Sequence, residues 1–350
     1  MKVLLVVPSL DVEKFKGLAR VSLELKSGLE KRGIDVETFE VHKEKKNYLK
    51  NLTTTPLKEL RSKVDIIHAT TPESASFLWL IRLFKNVKSI VTFHDLIPLK
   101  YCRELDFKFK SLIRIYTTLM WKFATKADVL VAVSSRTAED VRMFFGRKAD
   151  YIINPGISEK FREIRKHDLS TDKITLGFFA NFSYRKGLDK AIEVFKIVRK
   201  KIDCRLVIAG GELQTVYQKQ FDVRKLTKGL KDVEIRGYIP EDEIVEFYNS
   251  FDFYLFPSSV EGFGLPILEA QACGVPTLVF EWADIPEESM RMAVKCYDVE
   301  DMAHKILYWV LVGKEQYRML SELGKEYANQ FTWDKFVEKY IEIYEKLMRK

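Results

Sequence analysis

Two glutamates, Glu261 and Glu269, stand eight residues apart in the stretch from Pro257 to Pro276, which reads P-S-S-V-E-G-F-G-L-P-I-L-E-A-Q-A-C-G-V-P. The apolar run Phe253 to Phe256 that precedes it has the length and composition of a buried strand. Gly262 and Gly264 permit backbone angles closed to other residues, and Pro266 suits the first turn of a helix. A strand, a glycine loop and an exposed helix N-terminus follow from this order. The amide groups of such an N-terminus point outward at the positive end of the helix dipole, which makes a site for phosphate. Glu261 in the loop and Glu269 about a turn inside the helix can then meet one ligand from different heights. Taken singly, Glu261 reads first as a solvated loop acid and Glu269 as an ordinary helix residue.

The elements that must position these residues are legible as two alternating series. Short aliphatic runs recur at Val3 to Val7, Val36 to Val41, Val64 to Ala69, Ser89 to Phe93 and Asp128 to Val133, spaced too widely for hairpins. Between most of them lie segments of helical periodicity, such as Leu18, Val21, Leu25 and Leu29. That alternation predicts a parallel sheet covered by helices. After Asn154-Pro155-Gly156 comes a charged stretch, Ser158 to Lys173, read as the connection between domains. The alternation then restarts, with strands at Ile174 to Phe179, Arg205 to Ala209, Phe253 to Phe256 and Val275 to Val279, and helices at Leu188 to Arg199 and Asp242 to Tyr248. The expectation is an α/β protein of two doubly wound parallel-sheet domains, 1–156 and 157–331. The amphipathic segment 332–349, with Thr332 as N-cap, is expected to pack back on the first domain. Ligands of open α/β sheets bind beyond the carboxyl ends of the strands, so two such sheets facing each other would put the site in the crevice between them.

The motifs in this order resemble the retaining glycosyltransferases of the GT-B fold, most closely glycosyltransferase family 4, the glycosyl transferases group 1. Glu261 and Glu269 are similar to the family's paired glutamates. The other matches are Gly17-Leu18-Ala19-Arg20-Val21 after the first strand, His94-Asp95-Leu96-Ile97-Pro98-Leu99 after the fourth, Asp128 to Ser134, and Asn154-Pro155-Gly156-Ile157. In the second half they are Arg185-Lys186-Gly187, Arg236-Gly237-Tyr238-Ile239-Pro240 and Phe331-Thr332-Trp333. The resemblance spans nearly the whole chain and implies transfer of a hexose from a nucleotide-diphosphate sugar to an acceptor hydroxyl, with retention at the anomeric carbon. It implies catalytic roles for Glu261, His94, Arg185 and Lys186. Donor contacts fall to Gly17, Asp95, Gly210, Gly211, Tyr238, Ile239, Gly262, Phe263, Gly264, Leu265 and Glu269. Within that set Arg185 and Lys186 meet the diphosphate, Glu269 the ribose hydroxyls, Glu261 and the His94-Asp95 turn the donor sugar, and the Gly237 to Ile239 loop the base. Two departures from the family pattern are Lys16-Gly17 where many members carry Gly-Gly, and Ala180-Asn181 where many carry Gly-Arg.

Physical need agrees with these roles. Expelling a nucleoside diphosphate develops negative charge that cations must meet. Arg185 and Lys186 precede a helix N-terminus, where cations oppose the dipole, a local cost that an anionic ligand removes. No two aspartates lie two apart, so no Asp-x-Asp metal motif is present, and neither G-x-G-x-x-G nor a Walker lysine motif occurs. No metal and no cofactor is therefore expected beyond the nucleotide-sugar co-substrate. His42, His68, His167 and His304 carry no such context and are read as structural.

The net charge of +8 is unevenly spread: residues 1 to 150 hold 28 Lys+Arg against 18 Asp+Glu, and residues 151 to 350 hold 30 against 32. That asymmetry points to an anionic partner of the first half, with a lipid-linked acceptor at an anionic membrane surface ahead of nucleic acid, for which no motif appears. Lys43, Lys45, Lys46 and Lys50, and the helix-like run Phe107 to Lys126, concentrate it. An ordinary packed helix with a solvated basic side is as good a reading of that run. The apolar stretches are too short for a membrane span or a signal peptide, and four cysteines without paired spacing suit a reducing compartment. A cytoplasmic protein is expected, attached peripherally to the inner face of a membrane if the basic half binds lipid. The function expected is glycosyl transfer in cell-surface glycolipid or polysaccharide synthesis. The alternatives are a catalytically silent GT-B protein that binds sugar nucleotide or supports a partner, and, in a chain this short for it, a sugar phosphorylase or epimerase.

Overall fold

The structure, a computed structural model, describes residues 1–41, 63–75, 78, 81, 85–101, 110–169, 173–211 and 221–349. These form two compact units, the first running to Gly156 and completed by the chain from Thr332 onward, the second spanning Ile157–Phe331. Lys43, Lys45, Lys46, Lys50 and the Phe107 end of the basic run lie outside the described residues.

The first unit holds six strands: β1 (Lys2–Val7), β2 (Asp35–Glu40), β3 (Ile66–Ala69), β4 (Lys88–Phe93), β5 (Val129–Ala132) and β6 (Tyr151–Ile152). They pair in parallel in the order β2-β1-β3-β4-β5-β6. Side chains alternate along each strand, and both faces are apolar because both are covered. Val3, Leu5 and Val7 turn to one face, where Leu25 and Leu29 of helix Val12–Lys31 meet Phe336, Val337 and Tyr340 of helix Trp333–Met348. Leu4 and Val6 turn to the other, against Leu78, Phe93, Trp121 and Val141.

A polar network ties the last helix to this sheet. His68 Nδ1 lies 2.7 Å from the Tyr344 hydroxyl and Nε2 lies 2.9 Å from Thr92 Oγ1, which is itself 2.8 Å from the Tyr340 hydroxyl. All four side chains are buried and each finds a partner, so the network fixes the helix in register without leaving a polar group stranded. Thr332 caps the helix by accepting from Lys335 N at 3.3 Å.

The second unit holds β7 (Ile174–Phe179), β8 (Cys204–Ala209), β9 (Val233–Gly237), β10 (Phe253–Phe256), β11 (Thr277–Phe280) and β12 (Val294–Cys296), all parallel, in the order β12-β11-β10-β7-β8-β9. From β7 the chain builds outward to β8 and β9, then crosses back to lay β10 on the other side of β7. The carboxyl ends of β7 and β10 therefore flank the point where strand order reverses, the place where loops diverge and leave room for a ligand. Tyr248, Phe251, Tyr254 and Phe253 fill the core beneath it, and the Tyr254 hydroxyl donates to Phe179 O at 2.8 Å.

From Ser158 to Leu169 the stretch packs on the second unit. Asn249 Oδ1 accepts from Ile164 N at 2.9 Å, Arg165 pairs with Asp252 at 2.9 Å, and Lys160 with Glu241 at 2.7 Å. Buried polar partners hold it down, which its charge alone does not reveal. Among the described residues no helix is long and apolar enough to cross a membrane.

Candidate active site

The two loops at the reversal point carry the basic pair and the first glutamate. After β7 the chain turns through Ala180 and Asn181 into a 3-10 turn, Tyr184–Lys186, before helix Leu188–Arg199. After β10 it runs from Pro257 to Gly264 before helix Leu265–Ala272. Ser259 N donates to Arg185 O at 2.8 Å, so the loops are bonded through their backbones. Lys186 Nζ then lies 2.6 Å from Glu261 Oε1, and Arg185 Nη1 lies 3.4 Å from Oε2 and 2.8 Å from Val260 O. Ser258 Oγ donates to the same Glu261 carboxylate.

These side chains are 10–18% exposed, so their charges act on one another with little screening. Burial pushes the Glu261 carboxyl up, but the Lys186 and Arg185 charges and the hydrogen bonds from Lys186 and Ser258 outweigh it, and Glu261 is held below the ordinary glutamate range. It is a carboxylate at neutral pH. Arg185 Nε is buried and has no hydrogen-bond partner among the described residues.

Glu269 lies on the first turns of its helix, buried to 8% exposure, and accepts from the Tyr248 hydroxyl at 2.9 Å. Burial and the nearby Glu269 charge hold the Tyr248 phenol far above its usual range, so it stays a donor. Gly264 takes φ +101° immediately before Leu265, the left-handed geometry that turns the loop into the helix, whereas Gly262 has no such angle. Phe263 is buried and Phe263 O accepts from Ser289 Oγ, which pins the loop from behind.

On the other side of β7, Gly210 and Gly211 follow β8. Gly210 has φ +126°, and a Cβ there would meet Ala180 O at 1.8 Å, so only glycine lets the two loops pack. Gly210 N donates to Gly237 O at 2.7 Å, which ties the glycine loop to the end of β9, where Tyr238 is 60% exposed and Ile239 is buried. Arg185, Lys186, Glu261, Gly262, Phe263, Gly264, Leu265, Glu269, Gly210, Gly211, Tyr238 and Ile239 thus all lie at the carboxyl end of one sheet.

His94, Asp95 and Gly17 belong to the first unit. His94 follows β4, and its Nε2 donates to Thr70 O at 2.9 Å. Burial lowers its pKa to about 4, only partly offset by that bond, so the ring is neutral with Nδ1 as an acceptor. Asp95 Oδ1 accepts from Ile97 N at 2.9 Å and starts the short helix Ile97–Lys100. Gly17 sits inside helix Val12–Lys31, exposed, with no described atom near where a Cβ would be. The helix begins before the motif, and Val12 to Lys16 contains neither proline nor glycine. His68 and His167 are buried structural groups, the latter with its pKa lowered to about 4, chiefly by burial and then by Arg165.

Sequence reasoning missed Tyr248 and Ser258, which hold the two glutamates. The spacing Ser258 to Glu261 was readable, but Tyr248 reaches Glu269 from another element, a contact no local pattern encodes.

Residues 15–161 match the family described as Glycosyltransferase Family 4, and residues 159–327 match Glycosyl transferases group 1. The chain belongs to this glycosyltransferase family. It is 26% identical over 329 residues to "O-antigen biosynthesis glycosyltransferase WclY" of Escherichia coli, which covers 90% of this chain and 88% of that one. Among solved structures, sucrose-phosphate synthase from Thermosynechococcus elongatus aligns with a TM-score of 0.79 at 17% identity, covering 100% of this chain and 99% of that one. Anabaena HepE, solved in complex with UDP and glucose, aligns with a TM-score of 0.72 at 15% identity, covering 99% and 100%. The glycosyltransferase has the GT-B fold that these structures share, with two six-stranded parallel sheets.

Proposed function

We propose that this glycosyltransferase moves a hexose from a nucleotide-diphosphate sugar to an acceptor hydroxyl, with retention of anomeric configuration and without a metal ion, in the synthesis of a cell-surface polysaccharide or glycolipid. The observation that carries the reading is the Arg185–Glu261–Lys186 cluster at the reversal point of the second sheet, beside the N-terminus of helix Leu265–Ala272. Two cations and outward-facing amides meet the charge that develops on the leaving diphosphate, and they gain strength as it develops. Among the described residues no group of three or more His, Cys, Asp or Glu side chains is arranged to hold a metal.

In this reading Glu269, held by Tyr248, takes the ribose hydroxyls, and Tyr238 and Ile239 flank the base. Gly210 and Gly211 border the nucleotide, while Leu265 N and its neighbours face the diphosphate. Glu261 holds the donor sugar, and the neutral His94 accepts from a sugar hydroxyl through Nδ1, with Asp95 beside it. Attack from the face the leaving group occupies lets a phosphate oxygen take the acceptor proton. The kinship with an O-antigen glycosyltransferase supports the polysaccharide setting, and the UDP and glucose bound by the Anabaena structure support a nucleotide-sugar donor.

The acceptor is proposed to be lipid-linked, and the anionic membrane surface that presents it to be met by the first unit. On helix Lys110–Ala124, Ile115, Tyr116 and Leu119 are 64%, 40% and 48% exposed, flanked by exposed Arg114, Lys122 and Lys126, while Trp121 and Ala124 face the core. Each basic residue near an anionic bilayer contributes about 1 kcal/mol, screened by salt.

The test is a panel of nucleotide sugars, scored for hydrolysis and for thermal stabilisation, which follows ligand concentration over Kd. Proton NMR of the product and an assay in EDTA complete it. An inverted product, or activity lost in EDTA and restored by magnesium or manganese, would overturn the mechanism. Failure to float with anionic vesicles at low salt would overturn the membrane acceptor.

A further inference from the structure

A second aromatic-basic cluster lies on the same edge of the second sheet, one strand beyond Glu261. The loop after β11 runs from Glu281 to Ile285 and is bonded to the Glu261 loop: Asp284 N donates to Ser259 O at 2.9 Å, and Glu261 N donates to Asp284 O at 3.0 Å. This loop carries Trp282, which is 54% exposed. The ring is nevertheless held. It stacks nearly parallel on Phe280, with centroids 5.0 Å apart and planes at 12°, and its Nε1 donates to Tyr297 O at 3.1 Å. Lys190, in the first turn of the helix that follows Arg185 and Lys186, places its ammonium 5.1 Å from the Trp282 ring and 5.6 Å from the Phe280 ring.

We infer that Trp282, with Lys190, is a platform for a sugar ring of the acceptor. An indole whose N–H is already satisfied and whose ring is fixed by stacking loses little freedom on binding, so its exposed part is pre-organised. The axial C–H groups of a pyranose carry partial positive charge and complement the negative face of an aromatic ring, while the lysine ammonium offers three donors to ring hydroxyls. A nucleobase fits less well. The strand order puts the Gly210 and Tyr238 loops, after β8 and β9, on the far side of β7 from β10 and β11. A donor lying across the reversal point with its base toward β8 and β9 leaves the Trp282 side to saccharide. The inference rests on the donor placement proposed above, and its test is separable from it.

The experiment follows tryptophan emission while methyl α-mannoside, maltose or N-acetylchitobiose is added to the UDP-bound protein, up to about 50 mM because one stacked ring gives millimolar affinity. The Trp282→Ala variant and a thermal melt with UDP alone run beside it. The expected result is a saturable change with at least one saccharide in the wild type, lost or right-shifted about tenfold in Trp282→Ala, the worth of an aromatic stack. The melting shift produced by UDP stays equal in both proteins. No emission change with any saccharide, or a change that survives Trp282→Ala, overturns the platform. If UDP fails to stabilise either protein while a saccharide signal still depends on Trp282, the platform stands and the donor placement falls.

Discussion

Replacing Glu261 by glutamine separates binding from transfer in a way the cluster's geometry makes quantitative. In the ligand-free protein the Glu261 carboxylate occupies the same two cations that the diphosphate is proposed to use, at 2.6 Å from Lys186 and 3.4 Å from Arg185. Unit charges 4 Å apart interact by about 4 kcal/mol at an effective dielectric constant of 20. Glutamine keeps the shape and the Ser258 contact but removes that competition. If relaxation and water leave a third of the interaction, about 1.4 kcal/mol, a nucleoside diphosphate binds the variant about tenfold more tightly. Transfer moves the other way, falling about 10- to 100-fold, since a charge-assisted hydrogen bond to the donor sugar is worth about 1.5–3 kcal/mol. The ligand-free variant also melts lower, because two cations only 11–18% exposed lose their counter-ion. Calorimetric titration with UDP and GDP, a melt with and without each, and a transfer assay measure all three. Weaker nucleotide binding together with undiminished transfer would refute the reasoning: Glu261 would then be a scaffold for the basic pair and nothing more.

Three further outcomes are expected. Gly210→Ala should abolish nucleotide-induced stabilisation and cost more than about 2 kcal/mol in a urea titration, because its Cβ would meet Ala180 O at 1.8 Å, while Gly211→Ala, whose Cβ would meet none of the described residues, is tolerated. Tyr344→Phe should destabilise the first unit by about 1–3 kcal/mol by stranding His68 Nδ1, and a double-mutant cycle with His68→Phe should show coupling between the two sites. Burial lowers the pKa of His68 to about 3 and that of His94 to about 4, so both are neutral when folded and take up protons on unfolding; their stability contribution is complete above pH 6.5 and is lost as pH falls toward 4. The unfolding free energy from urea titrations between pH 7 and pH 4.5 should fall by up to about 1.4 kcal/mol per pH unit for each histidine, a slope that is shallower by one proton in His68→Gln.

The sheet strands with continuous apolar runs were legible because a strand buried on both faces needs no partner to declare itself: Ile174–Phe179 and Phe253–Phe256 coincide with the runs read from sequence. Strands β9 and β12 were not. Val233–Gly237 is an edge strand with Glu234 and Arg236 interleaved, and Val294–Cys296 is only three residues long, so neither shows the composition that marks a buried strand. Gly17 lies within a helix stabilised by tertiary packing of Leu25 and Leu29, which absorbs the local cost of a glycine there. Charge alone does not reveal that Arg165, in the charged stretch after Asn154-Pro155-Gly156, is held by an aspartate 87 residues away.

The site shows what kind of information sequence withholds. Every residue type in the cluster was visible: a basic pair before one helix, a glutamate in a glycine loop before another. Nothing local stated that Lys186 touches Glu261, 75 residues on, or that Tyr248 holds Glu269 across 21. Those distances are set by topology, because β7 and β10 become neighbours only when the chain reverses its direction of winding, and the loops that follow them must then meet. The reversal is also why Trp282 escapes sequence reading. As a single exposed tryptophan in a polar loop it resembles any surface aromatic, and only the adjacency of β11 to β10 brings it to the edge that carries Glu261. In an open α/β sheet, then, residue types are local properties, whereas their meeting is decided by the strand order, and the residues most exposed to misreading are those whose partners arrive on the far side of the reversal.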